Sequence, residues 1–422
     1  MSVLAIGCGP FNLGLAALAS TVDDVSVEVL EASRELRWHP GLMFDDATLQ
    51  VSFLADLVTM VAPTHPLSFL AYLQDADRLY PFYVRERFHP TRREYEDYLR
   101  WAASRLPVRF SHRVSSVHWD GVGFVVSAVR GDGKDVTFHA HDLVLGIGTT
   151  PWIPPALQEL PPERLLHSAS YLDRVPSVGH VTVVGSGQSG AEVVLDLLRR
   201  NAPGVSWLTR SPVFAPLDYT KLVLEMTTPG YVRHFHSLPQ STRDSLVAEQ
   251  WRHYKAISSE TIEELHDLLY RRELTDLNDV ELRQGTAVTA AGVSSHKVVL
   301  TCTHRDTGRL FEHTTDLVVA ATGYRQREPV FLQPIEHLIK RDSLGRFVVG
   351  LDHSIDLDPS VTGRIFVANA DLHSHGVAAP DLGIGAVRNA AILNAITGRE
   401  VYPLPKRTAF TSFGAPEGSN VE

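Results

Sequence analysis

Residues Ser2–Ser20 read SVLAIGCGPFNLGLAALAS. An apolar run, Val3 to Ile6, passes through Gly7-Cys8-Gly9 into a segment rich in Leu and Ala. Strand, glycine turn and helix in that order open a nucleotide-binding unit. The glycines let the backbone turn tightly against a pyrophosphate, and the free N–H groups of the helix's first turn face the anion. Asn12 stands where the usual fingerprint has its third glycine. Further on, VSVEVLEAS (25–33) is a second strand ending at Glu31, whose carboxylate can accept hydrogen bonds from a ribose 2′-hydroxyl.

The same grammar returns at HVTVVGSGQSGAEVVLDLLRR (180–200). Here Gly185, Gly187 and Gly190 complete the glycine spacing before a helix. The next strand, GVSWLTRS (204–211), ends near Arg210 rather than in an acid. A guanidinium there pairs with a 2′-phosphate that a carboxylate would repel, which favours NADPH over NADH. A third piece, DLVVAATGYRQ (316–326), resembles the strand that closes the flavin domain in two-dinucleotide flavoproteins, and DLVLGIGTTPWIPP (142–155) looks like the matching outbound crossing. The expected fold is α/β: two Rossmann-like dinucleotide-binding domains and a small, mostly helical substrate domain. The expected division is a FAD domain over 1–160 and 319–400, a NADPH domain over 161–214 and 278–318, a helical lid over 215–277, and a weakly structured tail over 401–422.

Composition narrows the classes. Hydrophobic residues make up 44% and charged residues 21%, ordinary for a globular chain. A formal net charge of −10 with interspersed signs argues against nucleic acid. Two cysteines, Cys8 and Cys302, build neither a disulfide framework nor a redox pair, which points to a reducing, cytoplasmic setting. No signal peptide or membrane span is expected. His373-x-His375 lacks a clear third ligand, so no metal is expected. LLHSASY (165–171) keeps His167 and Tyr171 of the sulfide-oxidising and Baeyer–Villiger flavin monooxygenases but lacks their preceding Phe-x-Gly.

The segment after Glu31, LRWHPGLMFDDATLQVSFLADLVTMVAPTHPLSFLAYL (36–73), resembles the microbial N-hydroxylating flavin monooxygenases of siderophore pathways, which act on lysine, ornithine or diamines. GCGPFNLGLAAL, VVGSGQSGAE, ATGY and NADLHSHGVAAPDLGIGAVRNAAILN (369–394) resemble that family's other motifs in the same order. The resemblance implies FAD, NADPH and O2 as cofactors and co-substrate. The free amine attacks a C4a-hydroperoxyflavin, so the chain need supply no nucleophile. It also implies site residues. Gly7, Gly9, Pro10, Asn12 and Glu31 hold the FAD adenosine and pyrophosphate. Trp38, His39 and Gln50 lie along the isoalloxazine, with Gln50 and His39 supporting the chemistry. Gly185, Gly187, Gln188, Ser189, Glu192 and Arg210 serve NADPH. Thr322, Gly323, Tyr324 and His375 complete the cofactor shell, and a dimer or tetramer is the family's habit.

Three positions bear on the substrate. Relatives that take amino acids typically read Ser-Phe-Leu-Lys-Asp-Leu where this chain has SFLADL, so Ala55 replaces the lysine that meets a carboxylate. Leu224 falls where amino-acid hydroxylases present a polar group, and Gly383 where many have serine. A buried carboxylate without a counter-charge costs several kcal/mol. The expected substrate is therefore a diamine, putrescine or cadaverine, whose distal ammonium is met by Asp218 or Glu225. The alternatives are lysine or ornithine, with Lys221 or Arg93 supplying the missing cation, and a flavin-binding regulatory protein without turnover.

Overall fold

A computed structural model describes residues 1–175, 179–275, 279–327 and 329–416. Two five-stranded parallel sheets organise it. In the first, Ser2–Ile6 lies between Ser26–Leu30 and Asp142–Leu145. Val108–Arg109 and Ile365–Val367 form the edges. In the second, His180–Val184 lies between Gly204–Leu208 and Leu317–Ala320, and Val280–Arg283 and Leu165–His167 form the edges. Central strands such as Val3–Ile6 and Val181–Val183 are buried on both faces, so they read as continuous apolar runs. Each half also carries a three-stranded antiparallel meander, His112 to Ala140 in the first and Thr286 to Thr315 in the second. The two halves thus repeat one plan.

The expectation for DLVVAATGYRQ needs correction. Leu317–Ala320 pairs with His180–Val184 and Leu165–His167, so it belongs to the second sheet. The chain returns to the first half immediately afterwards, where Tyr324–Gln326 runs antiparallel to the outbound Thr149–Pro151. These two short strands form a double crossing between the halves, and Ile365–Val367 closes the first sheet.

The lid expectation also shifts. Lys221–Leu224, Pro229–Ser237 and Gln240–Glu249 are helices standing outside both sheets. The helix Ser259–Glu273 is different: its Ile262, Leu265, Leu268 and Leu269 join the core built around the Gln188–Arg199 helix and the second sheet. It is the crossover between two parallel strands, as a parallel sheet requires. Residues 276–277 of the expected lid, 176–178 and 278 of the expected NADPH domain, 328 of the expected FAD domain and 417–422 of the expected tail lie outside the described residues. The rest of the tail is not loose. Tyr402 bonds Asn394, Leu18 and Thr21, and residues 408–413 dock on the Pro229–Ser237 helix.

Candidate active site

The two glycine turns are built alike. Gly7 sits at φ +99°, and a Cβ there would lie 2.3 Å from the Gly146 carbonyl oxygen. Gly185 sits at φ +141°, with Ala321 O 2.0 Å from the same imagined atom. Only glycine meets both demands. The helices that follow, Pro10–Ala19 and Gln188–Arg199, start at Gly9 and Gly187 with no side-chain cap and no acid in the first turn. The helices Phe69–Asp75, Arg92–Ala103 and Ser259–Glu273 are capped by Ser68, Thr91 and Ser258. Two helix ends with free N–H groups, one behind each glycine turn, fit two pyrophosphates.

Glu31 reaches back over the first turn, accepting from Cys8 N at 2.8 Å and from Ser33 N at 2.7 Å. Burial and this carboxylate push the Cys8 thiol up to about 12, so it carries no thiolate chemistry. Asn12, expected on the cofactor, is instead buried, and its amide donates to Ile6 O (3.1 Å) and Gly7 O (2.8 Å). It holds the turn from inside, packed where a Cβ on Gly146 would collide with it. In the second turn Ser189 is half-buried in the first helical turn. Arg210 is exposed, and Lys255, which sequence reasoning missed, stands near it. Loss of solvent and the Arg210 charge both lower the Lys255 ammonium. Both cations are exposed, and Lys255 O lies against Gly187 of the glycine turn, so an anion bound there would meet them.

Between the halves, Gln50 Nε2 donates to Gln188 Oε1 at 3.2 Å, and Gln188 Nε2 donates to Glu192 and Thr261 at 2.9 Å. Glu192 is gripped by both guanidinium nitrogens of Arg92 at 2.9 and 2.5 Å. Gln188 and Glu192, expected on NADPH, therefore spend their side chains on joining the two halves. Arg92 also donates to Leu42 O, and its charge acts on His39 and Tyr324. Sequence reasoning missed Arg92. Its signal is Thr91-Arg92-Arg93-Glu94, a helix start with an arginine at the positive end of the helix dipole, a placement that calls for an external carboxylate. His39 adopts φ 54°, is exposed, and stands edge-on to Trp38 at 4.8 Å. Trp38 leans on Tyr95 at 5.1 Å. At the crossing, Thr322 Oγ1 donates to Trp152 O, Gly323 O accepts from Trp152 N, and Tyr324 meets His167 edge-on.

The expected substrate positions sort into two groups. Ala55 and Gly383 come together: a Cβ on Gly383 would lie 4.0 Å from that of Ala55 and 2.9 Å from Asp381 Oδ1. Asp381 accepts from Gly383 N at 2.6 Å, and burial raises its carboxyl above the usual range. Its charge acts on Tyr219, whose hydroxyl burial raises first. Asp381 was not singled out from the sequence. Asp218 closes a local turn on Thr220, and Glu225 accepts from Phe410 N, Thr411 N and the Thr411 hydroxyl. Glu225 is thus tied to the tail. Leu224 is exposed. The two cations weighed as substitutes for the lysine are elsewhere engaged or exposed: Arg93 faces Asp45 at 3.5 Å, and Lys221 lies on the surface.

His375 lies deeper than a loop over a cofactor would. It is buried, stacked on His353 at 4.1 Å, with Asp371 beside both. These three could offer metal ligands, but Arg388 Nε lies 3.9 Å from Asp371 and supplies the counter-charge. Arg388 is itself fully buried over the Phe11 ring and donates to Ala379 O, and its charge also acts on Asp381.

Two nucleotide units joined by a double crossing, each with a bare helix end behind its glycine turn, define a two-dinucleotide flavoprotein. The comparisons resolve the class. The family described as L-lysine 6-monooxygenase/L-ornithine 5-monooxygenase matches residues 1–326, and the chain belongs to it. A putrescine N-hydroxylase of Shewanella oneidensis is 41% identical, over 97% of this chain and 84% of its own length. Among solved structures, an FAD-bound cadaverine monooxygenase of the desferrioxamine pathway from Erwinia amylovora superposes with a TM-score of 0.94 at 39% identity, covering 98% of both chains. An ornithine N-hydroxylase from a Kutzneria species, solved with reduced FAD, NADP+ and L-ornithine, gives a TM-score of 0.87 at 26% identity, over 94% of this chain and 98% of that one.

Proposed function

We propose that this chain hydroxylates one terminal nitrogen of a short aliphatic diamine, of the putrescine and cadaverine class, for hydroxamate siderophore assembly, using FAD, NADPH and O2. The observation that carries the reading is the meeting of Ala55, Gly383 and Asp381. A methyl and a bare glycine replace groups that would greet a carboxylate, and the carboxylate of Asp381 lies beside them, with the buried Arg388 shared between Asp381 and Asp371. The relatives named for putrescine and cadaverine support the same reading.

Reduced flavin, when bound, supplies the activated oxygen. The chain's residues do the rest. The bare helix ends at Gly9 and Gly187, with Glu31, fit FAD and NADP(H), and Arg210 with Lys255 fits the 2′-phosphate. Asp381 takes the distal ammonium, which favours its ionised form against the raising effect of burial, as the Arg388 charge also does. The reacting nitrogen must shed a proton to expose its lone pair, and a dry wall favours the neutral amine. Closure of the cleft by Arg92 and Glu192 excludes water, which would divert oxygen into peroxide.

The assembly is proposed to be a homo-oligomer. The helix Leu79–Arg85 leaves Tyr80, Tyr83 and Val84 exposed, with Phe88 nearby, apolar surface that a second copy would cover. Two buried, unpaired cysteines fit a reducing compartment, and no described helix is long and apolar enough to cross a membrane. The test is a coupled-product assay of the FAD-loaded protein across C3 to C6 diamines beside lysine and ornithine. Hydroxylamine formed in step with NADPH oxidation is expected with a diamine. Coupled turnover of ornithine or lysine, with none for diamines, overturns the substrate assignment.

A further inference from the structure

We infer that the C-terminal segment from Leu404 to Phe413 is a strap that holds the helical insert against the wall of the amine pocket, with Glu225 as its clasp. This rests on the proposed function only for where the pocket lies. The helix Pro229–Ser237 sets Val232 against Ala378, Ile384 and Val387, the apolar layer on either side of Asp381 and Gly383. Leu404 packs into that same layer. The strap begins from a fixed point: Asn394 holds both backbone groups of Tyr402, and the Tyr402 hydroxyl donates to Leu18 O at 2.8 Å.

From there the chain crosses to the insert and grips it in three places. The helix Pro229–Ser237 has no cap of its own, since Thr228 makes no side-chain bond to it. The hydroxyl of Thr408 supplies one, accepting from Gly230 N at 3.0 Å. Two residues on, the Glu225 carboxylate accepts from Phe410 N at 2.8 Å, from Thr411 N at 2.9 Å and from the Thr411 hydroxyl. Phe413 then lies edge-on to Tyr231 at 5.1 Å and stacks along His234. A carboxylate accepting three donors from one short stretch fixes the path of that stretch. The insert's helix end is thus completed by residues some 180 positions away in sequence. Freeing the strap removes the cap, the clasp and the Leu404 contact together, and the insert then opens more often than the core.

Glu225 is a positioning residue, and its test reads position directly. Hydrogen exchange at Gly230 to Phe235 is measured in the FAD-loaded full-length protein, in Glu225→Ala, in Glu225→Gln and in a chain ending at Arg407. Glu225→Ala and the shortened chain should exchange at least roughly tenfold faster there, with core strands unchanged. Glu225→Gln keeps one acceptor oxygen and should fall between. Putrescine KM and the peroxide share of NADPH oxidation should rise in the same order. Unchanged exchange in Glu225→Ala overturns the strap, whether or not the shortened chain folds. Faster exchange in a protein that hydroxylates no diamine keeps the strap and removes the substrate reading.

Discussion

Asp381 holds one carboxylate oxygen on Gly383 N and takes no further hydrogen bond from a described residue. Burial raises this carboxyl and the Arg388 charge only partly offsets it, so an arriving ammonium favours its charged form further. Asp381→Asn should therefore raise the putrescine KM by roughly 10- to 100-fold, matching about 1.5–3 kcal/mol for a charged hydrogen bond. NADPH oxidation without substrate should change little; steady-state kinetics with both readouts decide it. Ala55→Lys should act the same way by giving Asp381 a resident cation, and an unaltered diamine KM in that variant would place the diamine elsewhere. Ala55 and Gly383 stood out in the sequence because each departs from a motif at a fixed offset, and the fold brings the two together. Glu225 misled because it adjoins Leu224. Consecutive helical positions are turned about 100° from one another, so one faces a pocket while the next faces a neighbour. The proposed part for Asp381 was invisible because it depends on burial, and sequence does not record depth.

The glycine turns and the helices behind them were readable at the level of elements, since φ and helix-end chemistry leave few residues to choose from. The strand Leu317–Ala320 was readable as a strand but was placed in the wrong sheet. Its apolar run says that both faces are buried and not which sheet buries them. Ser259–Glu273 failed in the same way: helical periodicity revealed a helix, and its packing on the second sheet turned a lid into a crossover. Between elements, the pair Arg92–Glu192, with side chains 12% and 10% exposed, fastens the helix Arg92–Ala103 of the first half to Gln188–Arg199 of the second. Arg92→Met should cost about 3 kcal/mol, because it strands the Glu192 charge in a dry place. Adding Glu192→Gln should recover part of that loss. Thermal unfolding of the two single variants and the double variant tests this, and additive losses would mean that the two residues are not coupled.

Across the whole molecule, distant segments converge on His353, Asp371, His375 and Arg388, a cluster of which the sequence displayed only His373-x-His375. His373 itself turns away to Phe347 O. Burial holds the His353 and His375 imidazoles below their ordinary value, and Asp371 does not offset it; Arg388 adds to the lowering of both, and His236 to that of His375. Both rings are therefore neutral in the fold and take up protons more readily once unfolded. For a group depressed on folding, stability is present above the unfolded value near 6.5 and is lost as pH falls below it. Each ring contributes up to about 1.4 kcal/mol of loss per pH unit in that window. Asp371 acts at lower pH. Burial alone would raise its carboxyl, but the Arg388 charge and the hydrogen bond from His353 outweigh burial and lower it, so it stays charged while the rings titrate. Unfolding temperature should therefore fall steeply from pH 7 to pH 5.5, and His353→Gln, which removes one titrating ring, should flatten that slope even if it lowers the starting value. A wild-type unfolding temperature unchanged over the window would mean that the cluster opens to water and that its histidines titrate as they do in the unfolded chain.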